Sequence, residues 1–323
     1  MRKLEVLSPT SLHTWERDKE EFYRTYLSDA RPDRAAATDA MSVGSAFDAF
    51  VKSKLYADLV GTHPKYELQA LFESQVEEHC RDFAWEAGEY LFQCYVDSGA
   101  YEHLTTTIEC SEAEPRFEFT LKKEVGGVVL LGKPDCWFKT SVDVLLDWKV
   151  NGYCSANPTS PKPFYMMCVD TWTPDVAKPT RGGNRPHKKF EPVEYGDLTI
   201  GNHWLEDVDK KWADQLAIYM WMLNVPVGSE EVITCIDQLA CKPFEPKPLI
   251  RVAQHRCRIS ADWQFNLMTR LQSCWNTIAS GHIFKDLTRE ESDARCEVLD
   301  MEAGVKDDDD PFWELVNKKG FYG

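Results

Sequence analysis

Asp135, Asp147 and Lys149 are residues of this chain whose types and spacing could do chemistry together. Asp135 closes the stretch Gly132-Lys133-Pro134-Asp135, and Asp147-Trp148-Lys149 follows after an apolar run. Side chains alternate faces along a strand, so Asp147 and Lys149 point the same way. A short antiparallel return from Trp137-Phe138 through Lys139-Thr140-Ser141 sets Asp135 beside them. Two carboxylates can hold Mg²⁺, which polarises a phosphate oxygen and lowers the pKa of a bound water. A lysine beside them can orient that water or stabilise charge on phosphorus. The chemistry this layout suits is the cutting of a phosphodiester.

An Asp-x-Lys triplet is common, and on a solvent-facing strand it would signify nothing. Here Val142, Val144, Leu145 and Leu146 precede it, the composition of a buried strand, where an unpaired charge is costly. Mutual pairing of Asp147 with Lys149 is the structural alternative to catalysis.

The surrounding elements must bring these groups together. Ser8-Pro9 reads as an N-cap with proline in the first helical position, leading into Trp15, Phe22, Tyr23 and Tyr26. A second helix is expected to begin near Ser42 and to run through Gly44, Phe47 and Asp48. Tyr66 to Tyr101 carries Phe72, Val76, Phe83, Tyr90, Phe92 and Tyr95 at helical spacing, a packing stripe. Asp207 to Leu223 predicts one helix, with Trp212, Leu216, Tyr219 and Leu223 on a stripe and Gln215 one turn before Tyr219. Glu231 to Leu239 and Leu249 to Ile259 predict two strands. Ser260 then caps a helix with Trp263, Leu267, Leu271, Trp275 and Ile278 inward, stopped by Gly281. The fold class is therefore α/β.

Taken in order, five motifs resemble the PD-(D/E)XK nuclease superfamily, in its RecB-like exonuclease branch, common in phage and bacterial recombination systems. They are Ser8 to Leu27, Gly44 to Asp48, Gly132 to Asp135, Asp147 to Lys149 and Gln215 to Tyr219, spanning roughly two thirds of the chain. The resemblance implies a restriction-endonuclease-like core, a central mixed sheet flanked by helices, with helical extensions. It implies metal-dependent DNA hydrolysis with Mg²⁺ or Mn²⁺ as cofactor, with Asp135 and Asp147 as ligands and the backbone carbonyl of Trp148 as another. Lys149 would position the nucleophilic water, and Gln215 and Tyr219 would contact the DNA backbone or steady the lysine. Glu114 or Glu118 could be an auxiliary acid or ordinary surface charge.

The chain departs from the family pattern in places. Asp48 stands where many relatives have a metal-binding histidine, and is either a carboxylate ligand or a residue of a polar helix boundary. The four-cysteine iron–sulfur staple of many RecB-like nucleases is not matched: Asp18 lies near the position of its first cysteine, and Cys241, Cys257, Cys274 and Cys296 are too widely spaced. No iron–sulfur cluster is expected. A long insertion separates Lys149 from Gln215, and its Pro- and Gly-rich part, about 157–192, carries Lys178, Arg181, Arg185, Lys188 and Lys189. Those cations are expected to grip a phosphate backbone; the alternative is a solvated loop.

The chain's net charge is −16, but residues 286–310 hold eleven acids against three bases, half of that total. The organisation expected is a nuclease domain over 1–285 and an acidic C-terminal tail over 286–323. Asp307 to Asp310 followed by Pro311-Phe312-Trp313 loosely resembles the acidic-aromatic tips with which single-stranded-DNA-binding proteins recruit partners. The partners expected are DNA and a single-strand-annealing or single-stranded-DNA-binding protein, without a membrane. Eleven irregularly spaced cysteines fit reduced thiols, and no long apolar run appears, so a cytoplasmic location is expected, that of a bacterial host if the gene is a phage's. An exonuclease is the reading favoured; a binding module without hydrolysis and an endonuclease are the alternatives.

Overall fold

The computed structural model describes residues 1–30, 36–159, 166–169, 189–192, 199–201 and 203–304. Lys178, Arg181, Arg185 and Lys188, and the Asp307–Trp313 segment, lie outside the described residues; Lys189 opens a short strand.

Four strands and two short ones at the edges form a mixed sheet. In spatial order they are β1 (Arg116–Phe117), β4 (Cys136–Lys139), β5 (Asp143–Asn151), β9 (Ile233–Lys242), β10 (Leu249–Cys257) and β8 (Thr199–Ile200). β5 and β9 are parallel, as are β10 and β8, and the other pairings are antiparallel. β2 (Leu121–Val125) and β3 (Val128–Gly132) form a separate hairpin, and β6 (Met166–Val169) pairs with β7 (Lys189–Pro192). Gly126 and Gly127 turn the first hairpin with φ of 59° and 82°, the two positive values a two-residue primed turn requires.

Helices cover both faces of the sheet. On one side α3 (Asp39–Leu59), α5 (Arg81–Asp97) and α6 (Ala100–Glu109) share a core with Cys136, Leu146, Trp148 and Leu239. α4 (Leu68–Gln75) packs outside α3. On the other side α1 (Pro9–Arg17), α8 (Lys210–Met222) and α9 (Ala261–Ala279) share a core with Leu130, Leu145 and Ile236. Residues 144–148 of β5 are all buried because both faces are covered, and this explains the nearly unbroken apolar run before Asp147. The α/β class and the helix-flanked mixed sheet agree with the sequence expectation.

The differences lie at element ends. The helix expected over 207–223 is two, α7 (Leu205–Val208) and α8, because Asp209 is extended at φ −156° and its carboxylate caps the Lys211 and Trp212 amides. α3 starts before Ser42, with Thr38 as its cap. Ser8 caps α1 as expected, in a reciprocal arrangement with Ser11, and Ser260 caps α9. Asp18 caps α2 (Lys19–Phe22), accepting from the Glu20 and Glu21 amides.

The acidic segment expected as a tail begins with a docked helix, α10 (Arg289–Gly304). Leu299 is fully buried, and Asp300 accepts from Tyr23 Oη at 2.9 Å and Ser28 Oγ at 2.6 Å. Arg295 reaches back to Glu20 at 2.6 Å and Glu302 to Arg24 at 2.7 Å. Several of its charges are thus fastened to α2 and the turn after it, rather than solvated.

Candidate active site

The register carries the key residues together. Cys136 pairs with Leu146, so Asp135, one residue before β4, lies across from Asp147 on β5. Asp135 Oδ2 accepts from the Trp148 amide at 3.4 Å. Asp147 and Lys149 extend from the same face of β5 and form an ion pair. Above that face lies α8, whose Gln215 donates to Asp147 Oδ1 at 2.9 Å and accepts from Lys149 Nζ at 3.0 Å. The same amide nitrogen lies 3.2 Å from Tyr219 Oη, so one glutamine holds the carboxylate and the ammonium and meets the phenol. Close approach of α8 depends on Gly132: a Cβ there would stand 2.5 Å from Tyr219 Cε1 and from Met222 Cε.

On the other side of Asp135, α3 supplies Asp48 and, one turn on, Lys52. The Lys52 ammonium is fully buried, 2.6 Å from Asp48 Oδ2, 3.1 Å from Glu118 Oε1 and 3.3 Å from Asp135 Oδ1. Glu118 sits just after β1 at φ 46° and is also paired with Lys133 at 3.1 Å. Asp48, Glu118, Lys133, Asp135 and Trp148 line a cavity of about 430 Å³. The site therefore has a solvent-connected mouth and a buried floor.

Its electrostatics follow from that burial. Burial pushes the Asp147 carboxyl up to about 7, with Lys149 opposing and Asp135 adding to the rise. Burial also works against ionised Asp135, but Lys52 and Lys149 outweigh it and hold Asp135 below the ordinary carboxylate range. Asp48 is pushed up to about 7 by burial, against the pull of Lys52. Burial disfavours charge on Lys52 and Lys149, yet the facing carboxylates raise both.

Two carboxylates that strain against each other's charge are a place for a divalent cation. Asp147 Oδ2 is buried and accepts no directed hydrogen bond, although the Lys149 ammonium lies against it. Among the described residues no three His, Cys, Asp or Glu side chains are grouped as a metal-holding set. The fit is therefore that of a two-carboxylate site completed by water and a backbone carbonyl, the manner in which Mg²⁺ is commonly held.

Asp48, Asp135, Asp147, Trp148, Lys149, Gln215 and Tyr219, singled out in the sequence, thus lie in one neighbourhood. The loop residues Lys178, Arg181, Arg185 and Lys188 lie outside the described residues. Of the two auxiliary acids left open, Glu118 is in the site and Glu114 is exposed. Lys52 escaped sequence reasoning. Its signal was present: a lysine four residues after an acid, inside the apolar stretch Phe47 to Leu55. Cys241, Cys257, Cys274 and Cys296 are buried on β9, β10, α9 and α10.

Two solved structures show distant likeness. A provisionally named exonuclease from Eubacterium rectale aligns over 86% of this chain and 82% of its own, at 12% identity and a TM-score of 0.39. SSO0001 aligns over 82% and 85%, at 11% identity and a TM-score of 0.24. No family model and no curated protein matches the chain significantly. Likeness this distant says nothing about chemistry, which rests on the site's own geometry.

Proposed function

We propose that the chain is a metal-dependent deoxyribonuclease of the PD-(D/E)XK type, with a restriction-endonuclease-like core, acting as an exonuclease. The observation that carries this reading is the clamp in which Gln215 of α8 joins Asp147 and Lys149 of β5 while Asp135 faces them from the start of β4. A structural ion pair needs no such third member, and Asp135, which faces the pair, also lines the open cavity.

Asp135 and Asp147 would hold the cation, with the Trp148 carbonyl as a third oxygen. When bound, Mg²⁺ or Mn²⁺ would lower the pKa of a water and neutralise charge on the phosphate. Lys149 supplies an ammonium donor for that water or for a phosphate oxygen, held in position by Gln215 Oε1 and Asp147. Gln215 orients both partners, and Tyr219 presents a hydroxyl beside its amide. The insertion with Lys178, Arg181, Arg185, Lys188 and Lys189 follows β5 in sequence and provides cations for the DNA backbone.

The test is incubation with end-labelled linear DNA and closed circular DNA, with Mg²⁺ or Mn²⁺. Linear DNA should be degraded and circles spared. Asp147→Asn and Lys149→Ala should each lower the rate by at least about a hundredfold while the thermal transition is kept. Cutting of closed circles would make it an endonuclease, DNA binding without any cutting would make it a binding module, and normal cutting by Lys149→Ala would end the assignment of that lysine.

A further inference from the structure

Lys52 has no part in the clamp just described, yet it is among the most buried charged groups of the chain, with a fully covered side chain. An ammonium is stable in such a place only when carboxylates surround it. Its three partners come from three separate parts of the fold: Asp48 from α3, Glu118 from the turn after β1, and Asp135 from the turn before β4. Hard divalent cations are held by carboxylate oxygens as well, but with the ammonium in place these three form no metal-holding set among the described residues.

We propose that the Lys52 ammonium stands permanently where a second metal ion would otherwise bind, so that the site takes a single divalent cation, at Asp135 and Asp147. This deepens the nuclease reading and rests on it. Lys52 is a positioning residue: it satisfies Asp48 and Glu118 and holds Asp135 by Oδ1, leaving Oδ2 on the side of Asp147 and the Trp148 amide. Charge supports the same count. The four carboxylates Asp48, Glu118, Asp135 and Asp147 face the Lys52, Lys149 and Lys133 ammoniums, so one dication already more than offsets the remaining negative charge and a second would add to the excess. Asp48, although placed at the site, is then a partner of Lys52 and not a ligand.

The experiment counts bound Mn²⁺ by calorimetric titration and by electron paramagnetic resonance of free Mn²⁺, on wild type, Lys52→Met, Asp48→Ala and the Lys52→Met/Asp48→Ala double variant. Wild type should bind one ion, and Asp48→Ala should also bind one ion, with its affinity lowered by no more than the change of about ten- to a hundredfold that loss of a supporting partner brings. Lys52→Met should bind two, and the double variant should lose the second. Two ions on wild type, for which Lys52 would have to swing aside, or an Asp48→Ala affinity lowered by more than about a hundredfold, beyond what loss of a supporting partner brings, would overturn the proposal. One ion on folded Lys52→Met would overturn it as well. If Lys52→Met does not fold, the counts on wild type and Asp48→Ala still decide. A wild type that cuts DNA but binds two ions rejects only this inference, whereas one that binds no ion and cuts nothing rejects the nuclease reading with it.

Discussion

Gln215 is the residue on which the two halves of the site meet, since it touches Asp147, Lys149 and Tyr219 in one hydrogen-bonded set. Replacing it with alanine should leave the helix intact and free Lys149 to wander. Cleavage should drop by about ten- to a hundredfold, the usual cost of losing a partner that orients a metal ligand, with a smaller loss of Mn²⁺ affinity. An unchanged rate in a nuclease assay would reduce Gln215 to a packing residue. At this scale Asp147, Lys149, Gln215 and Tyr219 were legible because strand and helix periods alone place them on common faces. Lys52 was passed over despite its place one turn after Asp48, and Glu118 was left open beside Glu114, because what matters about both is the set of partners brought from distant segments.

At the scale of elements, the most exacting requirement is a second buried network that ties β9 and β10 to α5. Asp237, fully buried, accepts from Arg256 Nη1 at 2.7 Å, from Gln254 Nε2 at 3.1 Å and from the Tyr95 hydroxyl. Asp237→Ala would strand the Arg256 guanidinium, and the expected cost is about 3–5 kcal/mol in urea unfolding. A loss under about 1 kcal/mol, the worth of a surface pair, would show that the network is dispensable. β10 also carries His255, fully buried, with Nε2 3.2 Å from Gln238 Oε1. Burial, aided by Arg256, holds its pKa down to about 4 from an ordinary 6.5. Above pH 6.5 the imidazole is neutral whether the chain is folded or not. As the pH falls from 6.5 towards 4, the unfolded chain takes up a proton that the folded one refuses, so stability falls, by about 3 kcal/mol over that window. The gap between the urea midpoints of wild type and His255→Gln should be constant above pH 6.5 and shift against wild type as the pH falls towards 4; a gap unchanged over that window would refute the assignment. The strands and helices were largely legible from apolar runs and caps. Their ends were not, as at Asp209, where a carboxylate that could sit inside a helix instead caps the next one.

For the molecule as a whole, net charge and the proposed binding of DNA have to be reconciled. Half of the net −16 lies in 286–310, and α10 within it spends two of its acids, Asp300 and Glu302, on Tyr23, Ser28 and Arg24. The basic insertion is then the place to test attraction for DNA. Neutralising Lys178, Arg181, Arg185, Lys188 and Lys189 together should weaken binding and flatten the logarithmic salt dependence by about 0.7–0.9 for every phosphate that is no longer neutralised. An unaltered slope would make the insertion a bystander. The docking of α10 was hidden in the sequence, where its acids dominate and a single buried stripe of Ser292, Cys296 and Leu299 is easily passed over.

The order in which the site's parts occur along the chain has a consequence for its synthesis. Asp48, Lys52, Glu118, Asp135, Asp147 and Lys149 all leave the ribosome before Gln215 and Tyr219, and β5 keeps an open edge until β9, later still, comes to lie parallel beside it. A nascent chain, or one cut short before α8, has the acids but neither the glutamine that aims the lysine nor the strand that completes the sheet's centre. On the nuclease reading, the ability to cut arrives only once α8 and β9 have been made, and products cut short before α8 spare the DNA around them.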